Sequence, residues 1–155
     1  MLILVLVCAN GAPIIARKLL SSRFDTPLDG GLIFLDGKRL LGSSKTIRGL
    51  LAATLVSAVM FLILELGVLN GLFFGLSAML GDSLSSFLKR RAGLNPGDSV
   101  PWLDQIPEAL VPALVVRGAL QLDWIQLVVV VVGFTLVNML ISPVTYWLHI
   151  RRRPH

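Results

Sequence analysis

Two apolar runs, residues 47–66 and 69–88, follow one another with only a short break around residues 67–71. Each is about twenty residues long, the length at which a helix rising about 1.5 Å per residue crosses the hydrocarbon of a bilayer. A break that short joins antiparallel neighbours, so the pair reads as a helical hairpin in a membrane. Further apolar stretches cover residues 2–15 (extendable to Leu20), 107–120 and 124–150. The stretch at 107–120 is the weakest, because Pro107, Pro112 and Arg117 oppose a regular lipid-facing helix. A short or re-entrant segment packed inside the bundle would also satisfy its backbone. Composition agrees. Of 155 residues, 55% are hydrophobic and 15% charged, more apolar surface than a soluble domain of this size hides.

Lysine and arginine set the orientation. Arg17, Lys18, Arg23, Lys38, Arg39, Lys45 and Arg48 lie in or beside the first long loop. Lys89, Arg90 and Arg91 open the second, and Arg151, Arg152 and Arg153 form the tail. With five spans and an external N-terminus all of these fall on one side and only Arg117 does not, whereas four spans would split the set. The positive-inside rule makes that side the cytoplasm. The expectation is an all-α integral membrane protein of the cell membrane, one domain over residues 1–155. It has five transmembrane helices, N-terminus outside and C-terminus cytoplasmic. Residues 1–9 lack the basic start of a signal peptide, so this stretch reads as a retained helix. The lone Cys8 allows no internal disulfide and reads as a small apolar residue. The net charge of +5 follows from topology, and no nucleic-acid partner is expected. Gly71, Gly75 and Gly81 would let helices approach closely. A homodimer is open, with no residue specifying its surface.

The first loop, at roughly thirty residues, is long for so small a protein and reads as a binding element. Asp36-Gly37 stands between two short apolar-rich runs, 32–35 and 38–41, which predicts a tight β-hairpin-like element. Gly42-Ser43-Ser44-Lys45-Thr46 then leads into the second helix, where Ser44 or Thr46 suits a cap and the helix N-terminus offers N–H groups to an anion. The spacing is not that of a Walker A loop. Lys38, Arg39, Lys45 and Arg48 read as a phosphate cradle, although composition alone favours a basic topology signal that grips anionic headgroups.

On the third helix, Asp82, Ser86, Lys89 and Gly93 fall within an arc of about 60°. Asp82 and Lys89 are separated by about 10 Å along the axis, too far for an intrahelical pair. Asp82 therefore needs a partner on another element, a metal or water, and a carboxylate at this depth is a functional candidate. Asp98 and Asp104 follow in the second loop. Carboxylates facing a basic loop suit phosphate with Mg²⁺, which needs few protein ligands. No His or Cys cluster suits zinc. His149 and His155 read as surface residues, and Asn138 and Ser142, near Pro143, as interhelical polar groups.

These residues form a pattern. Asn10-x-x-Pro13, Pro27-x-Asp29-Gly30-Gly31 and Asp36-Gly37-Lys38-Arg39-x-x-Gly42-x-x-Lys45-Thr46-x-Arg48-Gly49 are followed by Gly81-Asp82-x-x-x-Ser86-x-x-Lys89-Arg90-Arg91 and Asp104-Gln105. The order resembles the CDP-archaeol synthase family, related to the CDP-diacylglycerol synthases, over almost the whole chain. The resemblance implies a Mg²⁺-dependent enzyme at the cytoplasmic face that transfers a cytidylyl group from CTP to a lipid phosphomonoester, releasing pyrophosphate. It implies Asp82, Asp104 and Asp98 at the metal, with Asp82, Lys89 and Asp104 as catalytic groups. Lys38, Arg39, Lys45, Thr46, Arg48, Ser86 and Arg90 would bind substrate, and Asp36, Asn10 and Asp29 are lesser candidates for orienting the loop or nucleotide. The family pattern has a second acidic residue two positions after Asp104-Gln105, where this chain has Pro107 and then Glu108.

A non-catalytic protein that binds anionic lipid or a partner helix explains the basic loops but has no need of Asp82. A CDP-alcohol phosphotransferase expects several closely spaced aspartates on two helices. A transporter expects ionisable groups deeper in the spans than Glu65 and Arg117.

Overall fold

The computed structural model describes residues 1–147 apart from Ser22 and Gly97, with side chains described as far as Ile141. The Arg151, Arg152 and Arg153 tail, His149, His155 and the side chains of Ser142 and Pro143 lie outside the described residues. Helices run in the order α1 (Leu2–Leu20), α2 (Ile47–Ile63), α3 (Val68–Arg91), α4 (Pro101–Val116) and α5 (Trp124–Trp147). α1, α3 and α5 are long and apolar enough to cross a membrane. α2 is apolar but only 17 residues long, and α4 has 16.

Local chemistry explains the boundaries. Thr46 caps α2, its Oγ1 accepting the Gly49 N–H at 3.2 Å. α4 starts at Pro101, earlier than the expected 107, and residues 117–121 fold into a turn instead of extending it. Proline is tolerated in a first helical turn, and the Asp104 carboxylate accepts the Val100 N–H at 3.0 Å to close that end. Pro107 and Pro112 remain inside the helix, with Pro112 wholly buried.

α3 lies between α2 and α4, while α1 packs on α2 and α5 on α4. Val5, Leu6, Phe61, Phe74, Ala109, Ala113 and Phe134 share one core, with the Phe61 and Phe74 rings 5.2 Å apart. Leu51, Leu55, Leu62, Leu69, Leu80, Ile125 and Leu140 are each more than half exposed. Such outward leucines suit lipid as the surrounding solvent. Glycine sets the closest approaches. A Cβ on Gly75 would lie 2.6 Å from Thr54 Cα of α2, and one on Gly81 would collide with the Pro107 carbonyl of α4.

The expected hairpin is not formed. Among the described residues there is no strand, only isolated antiparallel bridges at Ile33–Arg39 and Pro27–Thr46. Asp36-Gly37 does turn the chain, and the Phe34 N–H donates to the Lys38 carbonyl at 2.8 Å. The flanking runs have no sheet to join and no core to face. Ile33 is 68% and Leu35 97% exposed, so side-chain carboxylates rather than a ladder hold this loop.

Candidate active site

Asp29 organises the first loop. Its side chain is fully buried and accepts backbone N–H groups from Gly31 (3.1 Å), Leu41 (3.1 Å) and Gly42 (2.9 Å). Arg39 Nη2 pairs with it at 2.6 Å. Burial pushes the carboxyl upward, but the Gly42, Arg39, Gly31 and Leu41 hydrogen bonds outweigh it and bring the pKa down to about 2. Folded on this residue, the loop carries Gly42 over the C-terminal part of α3. A Cβ there would sit 3.5 Å from Arg90 Nη1, and φ at Gly42 is +99°, a conformation that favours glycine.

Beneath the loop, two ion pairs join separate elements. Lys45 Nζ, at the end of the loop, meets Asp82 Oδ2 of α3 at 2.5 Å. Burial acts against the Lys45 charge, but Asp82, with smaller contributions from Glu108 and Asp104, raises its pKa above the ordinary lysine value. Lys89 Nζ lies 2.6 Å from Asp104 Oδ1 of α4, a close charge contact in which that oxygen receives no aligned hydrogen bond. Lys89 also donates to the Asp98 carbonyl at 2.9 Å. The Asp98 carboxylate accepts the Asn95 N–H at 2.8 Å, shaping the turn after α3.

Arg90 is buried. Nη2 donates to the Asn95 carbonyl at 2.7 Å, while Nε and Nη1 have no acceptor. An unmatched buried guanidinium edge is costly, and a bound anion would relieve that cost. Arg91 locks loop to helix. It lies 3.0 Å from Asp36 and donates to the Arg39 carbonyl at 2.7 Å, with Cζ 4.7 Å and 4.9 Å from the Phe34 and Phe87 ring centres. Lys38 reaches the Arg91 carbonyl at 3.3 Å.

The expected cradle is thus divided. Lys45, Lys89 and Arg90 converge with Asp82 and Asp104, whereas Arg39 serves Asp29. Arg48 is turned to the end of α1, donating to the Ser21 and Arg23 carbonyls, each at 2.8 Å, and pairing with Asp25 at 2.7 Å. Thr46 is a helix cap. Ser86 is buried on the Asp82–Lys89 face of α3. On α1, Asn10 keeps both amide atoms buried without partners. Sequence reasoning gave Asp29 too little weight and left Arg91 without a role. The cluster of Gly30, Gly31 and Gly42, each with positive φ, is the signal for a tightly folded loop needing a central acceptor. Nothing in the spacing tells Arg90 from Arg91.

Comparison with known proteins gives a consistent result. A family model described as CarS-like CDP-archaeol synthase matches residues 3–155. A CDP-archaeol synthase of Thermofilum pendens is 32% identical over 153 residues, covering 94% of this chain and 74% of that protein. That of Sulfolobus acidocaldarius is 38% identical over 136 residues, 83% of each. That of Hyperthermus butylicus is 41% identical over 106 residues, and the match spans 60% of its length. A solved structure described as an intramembrane enzyme for archaeal membrane lipids biosynthesis superposes with a TM-score of 0.71. It is 30% identical and is matched over 90% of this chain and 89% of that one. Apolar outer faces, cross-element ion pairs and these relatives together define a helical membrane enzyme. The chain belongs to the CDP-archaeol synthase family.

Proposed function

We propose that this enzyme transfers a cytidylyl group from CTP to a lipid phosphomonoester, giving CDP-lipid and pyrophosphate. The observation that carries the reading is Arg90, a buried guanidinium with two N–H-bearing nitrogens left without acceptors beside Lys89 and the Gly42 turn. A triphosphate is the anion class that such a cluster of cations suits. The lipid phosphate is already largely ionised near neutral pH, so it attacks the α-phosphorus without a general base. That accords with a site in which no histidine stands among the described residues.

Mg²⁺ fits the donor set. Among the described residues no group of three or more His, Cys, Asp or Glu side chains is arranged for a metal. Mg²⁺ nevertheless takes one or two carboxylates and completes its shell with water and phosphates. Asp82 and Asp104 would hold it, and the Asp104 Oδ1 without a hydrogen bond is a suitable oxygen. Bound with nucleotide, the ion supplies charge neutralisation at the phosphates. Lys89 and Arg90 hold triphosphate oxygens, and Lys45 closes from the loop. Asp98 and Lys38 stand at the rim. Five spans, with this site at the cytoplasmic face of the cell membrane, would leave the lipid chains in the bilayer. A protein that only gripped anionic lipid would gain nothing from carboxylates set among its cations.

The test is transfer of labelled CTP to phosphatidic and archaetidic phosphomonoesters by purified protein in detergent with Mg²⁺. A CDP-lipid product that disappears in Asp82→Asn supports the proposal. Folded protein that yields no product from any lipid overturns it.

A further inference from the structure

The two carboxylates assigned to the cation are each already held by a lysine from elsewhere. Asp82 has Lys45 at 2.5 Å, from the loop rather than from its own helix, and Asp104 has Lys89 at 2.6 Å, from α3 rather than α4. Two ammonium groups carry the charge of one divalent ion. Neither carboxylate side chain is more than one-fifth exposed, at 18% for Asp82 and 19% for Asp104. Buried without compensation, both would be costly. Glu108 of α4 adds to the demand. Its Cα lies 2.9 Å from where a Gly81 Cβ would be, next to Asp82, and its charge acts on Lys45. Arg90, one residue from Lys89, has its Nε and Nη1 free of acceptors. The two carboxylates are therefore charge-paired in the free protein, even though Asp104 Oδ1 receives no aligned hydrogen bond, while the anion-binding edge of Arg90 has no partner.

We propose that Lys45 and Lys89 are placeholders, neutralising Asp82 and Asp104 in the free enzyme and passing to the nucleotide phosphates when a cation–nucleotide complex binds. This rests on the cytidylyltransferase reading and adds an order to it. A bare divalent ion must compete with two ammonium groups for the same oxygens. An ion arriving with a triphosphate brings the lysines a replacement partner. The free protein then resists metal alone and accepts metal with nucleotide. Lys45 is the member on the loop, between Gly42 and the α2 cap, whereas Lys89 lies within α3.

The probe is Mn²⁺, followed by electron paramagnetic resonance with purified protein in detergent, with and without CTP. Wild type binds Mn²⁺ weakly alone and more tightly with CTP. Lys45→Met, removing one competitor, binds bare Mn²⁺ about ten-fold tighter than wild type and gains less from CTP. Lys45→Arg, which keeps the charge, stays near wild type. A Lys45→Met protein that melts like wild type yet binds bare Mn²⁺ no more tightly overturns the placeholder role, and wild-type binding of Mn²⁺ with CTP leaves the cytidylyltransferase reading standing. Absence of Mn²⁺ binding in every variant even with CTP overturns both. A measurement on wild type covers the case of a variant that does not fold. Amide exchange across residues 43–46 rises as Mn²⁺ alone is brought to saturation, and unchanged exchange there overturns the proposal.

Discussion

Charge is handled in opposite ways at the two ends of the bundle. At the C-terminal end of α3, Lys45 pairs with Asp82 across 37 positions of sequence, and Lys89 with Asp104 of another helix. At the other end, Arg117 donates to the Leu122 carbonyl five residues away at 3.2 Å and stacks 3.8 Å from the Trp124 ring centre. One end uses charge to bring distant segments together, the other to close a local turn. An arginine near an apolar edge is thus no sign of a site by itself. What marks the site is that cations and carboxylates from different elements stand beside a buried guanidinium edge, that of Arg90, with no acceptor.

The sharpest way to break this contrast is to neutralise one charge at each end. Asp82→Asn is expected to lower cytidylyl transfer by about 10³-fold or more, as loss of a transition-state charge partner does. Arg117→Gln should keep transfer within about two-fold, in line with a surface change away from the chemistry. Equal losses in the two would dissolve the distinction. Next in size is a pair of identical substitutions. Gly81→Ala drives a methyl group into the Pro107 carbonyl and should cost about 3 kcal/mol by detergent-compatible thermal melting. Gly118→Ala meets nothing within 4 Å and should stay within about 0.5 kcal/mol.

Asp29→Asn comes third. Its loss leaves Arg39 without its carboxylate partner and weakens the acceptor for three N–H groups, costing about 2 kcal/mol at neutral pH. The sign with pH follows from the lowered pKa. The folded carboxyl titrates near 2 rather than 3.8, so its stabilisation is complete above 3.8 and is lost as pH falls toward 2. Amide exchange over residues 30–42 should therefore stay slow down to about pH 4 in wild type and be faster throughout in the variant. Last comes Arg117→Met, which should cost about 1 kcal/mol for the lost ring contact, read from the melting midpoint.

Much of the fold was legible because lipid leaves a clear mark on sequence. Residues 47–66 and 69–88 anticipated α2 and α3 to within a turn, and Trp124 starts α5 as expected. α4 was displaced by its prolines. Read as breakers, Pro107 and Pro112 hid a helix that starts at Pro101, where proline is favourable and Asp104 closes the end. In the site, the helical arc placed Asp82, Ser86 and Lys89 together because a helix converts spacing directly into direction. The loop offers no such conversion. Lys38, Arg39, Lys45 and Arg48 look alike in sequence, and only the fold around Asp29 and the exit from α1 sends Arg39 and Arg48 to structural carboxylates while Lys45 reaches Asp82.

Gly81 has a consequence for descent. Its hydrogen side chain lets the α3 backbone rest on Pro107 and Glu108, one residue from Asp82 and one turn from Asp104. A lineage that acquired any larger residue there would have to re-route α4, carrying Asp104 away from Asp82 in the same step. The separation of the two acids thus depends on a missing side chain, since any Cβ at position 81 meets the Pro107 carbonyl, while the outward leucines around it carry no such constraint.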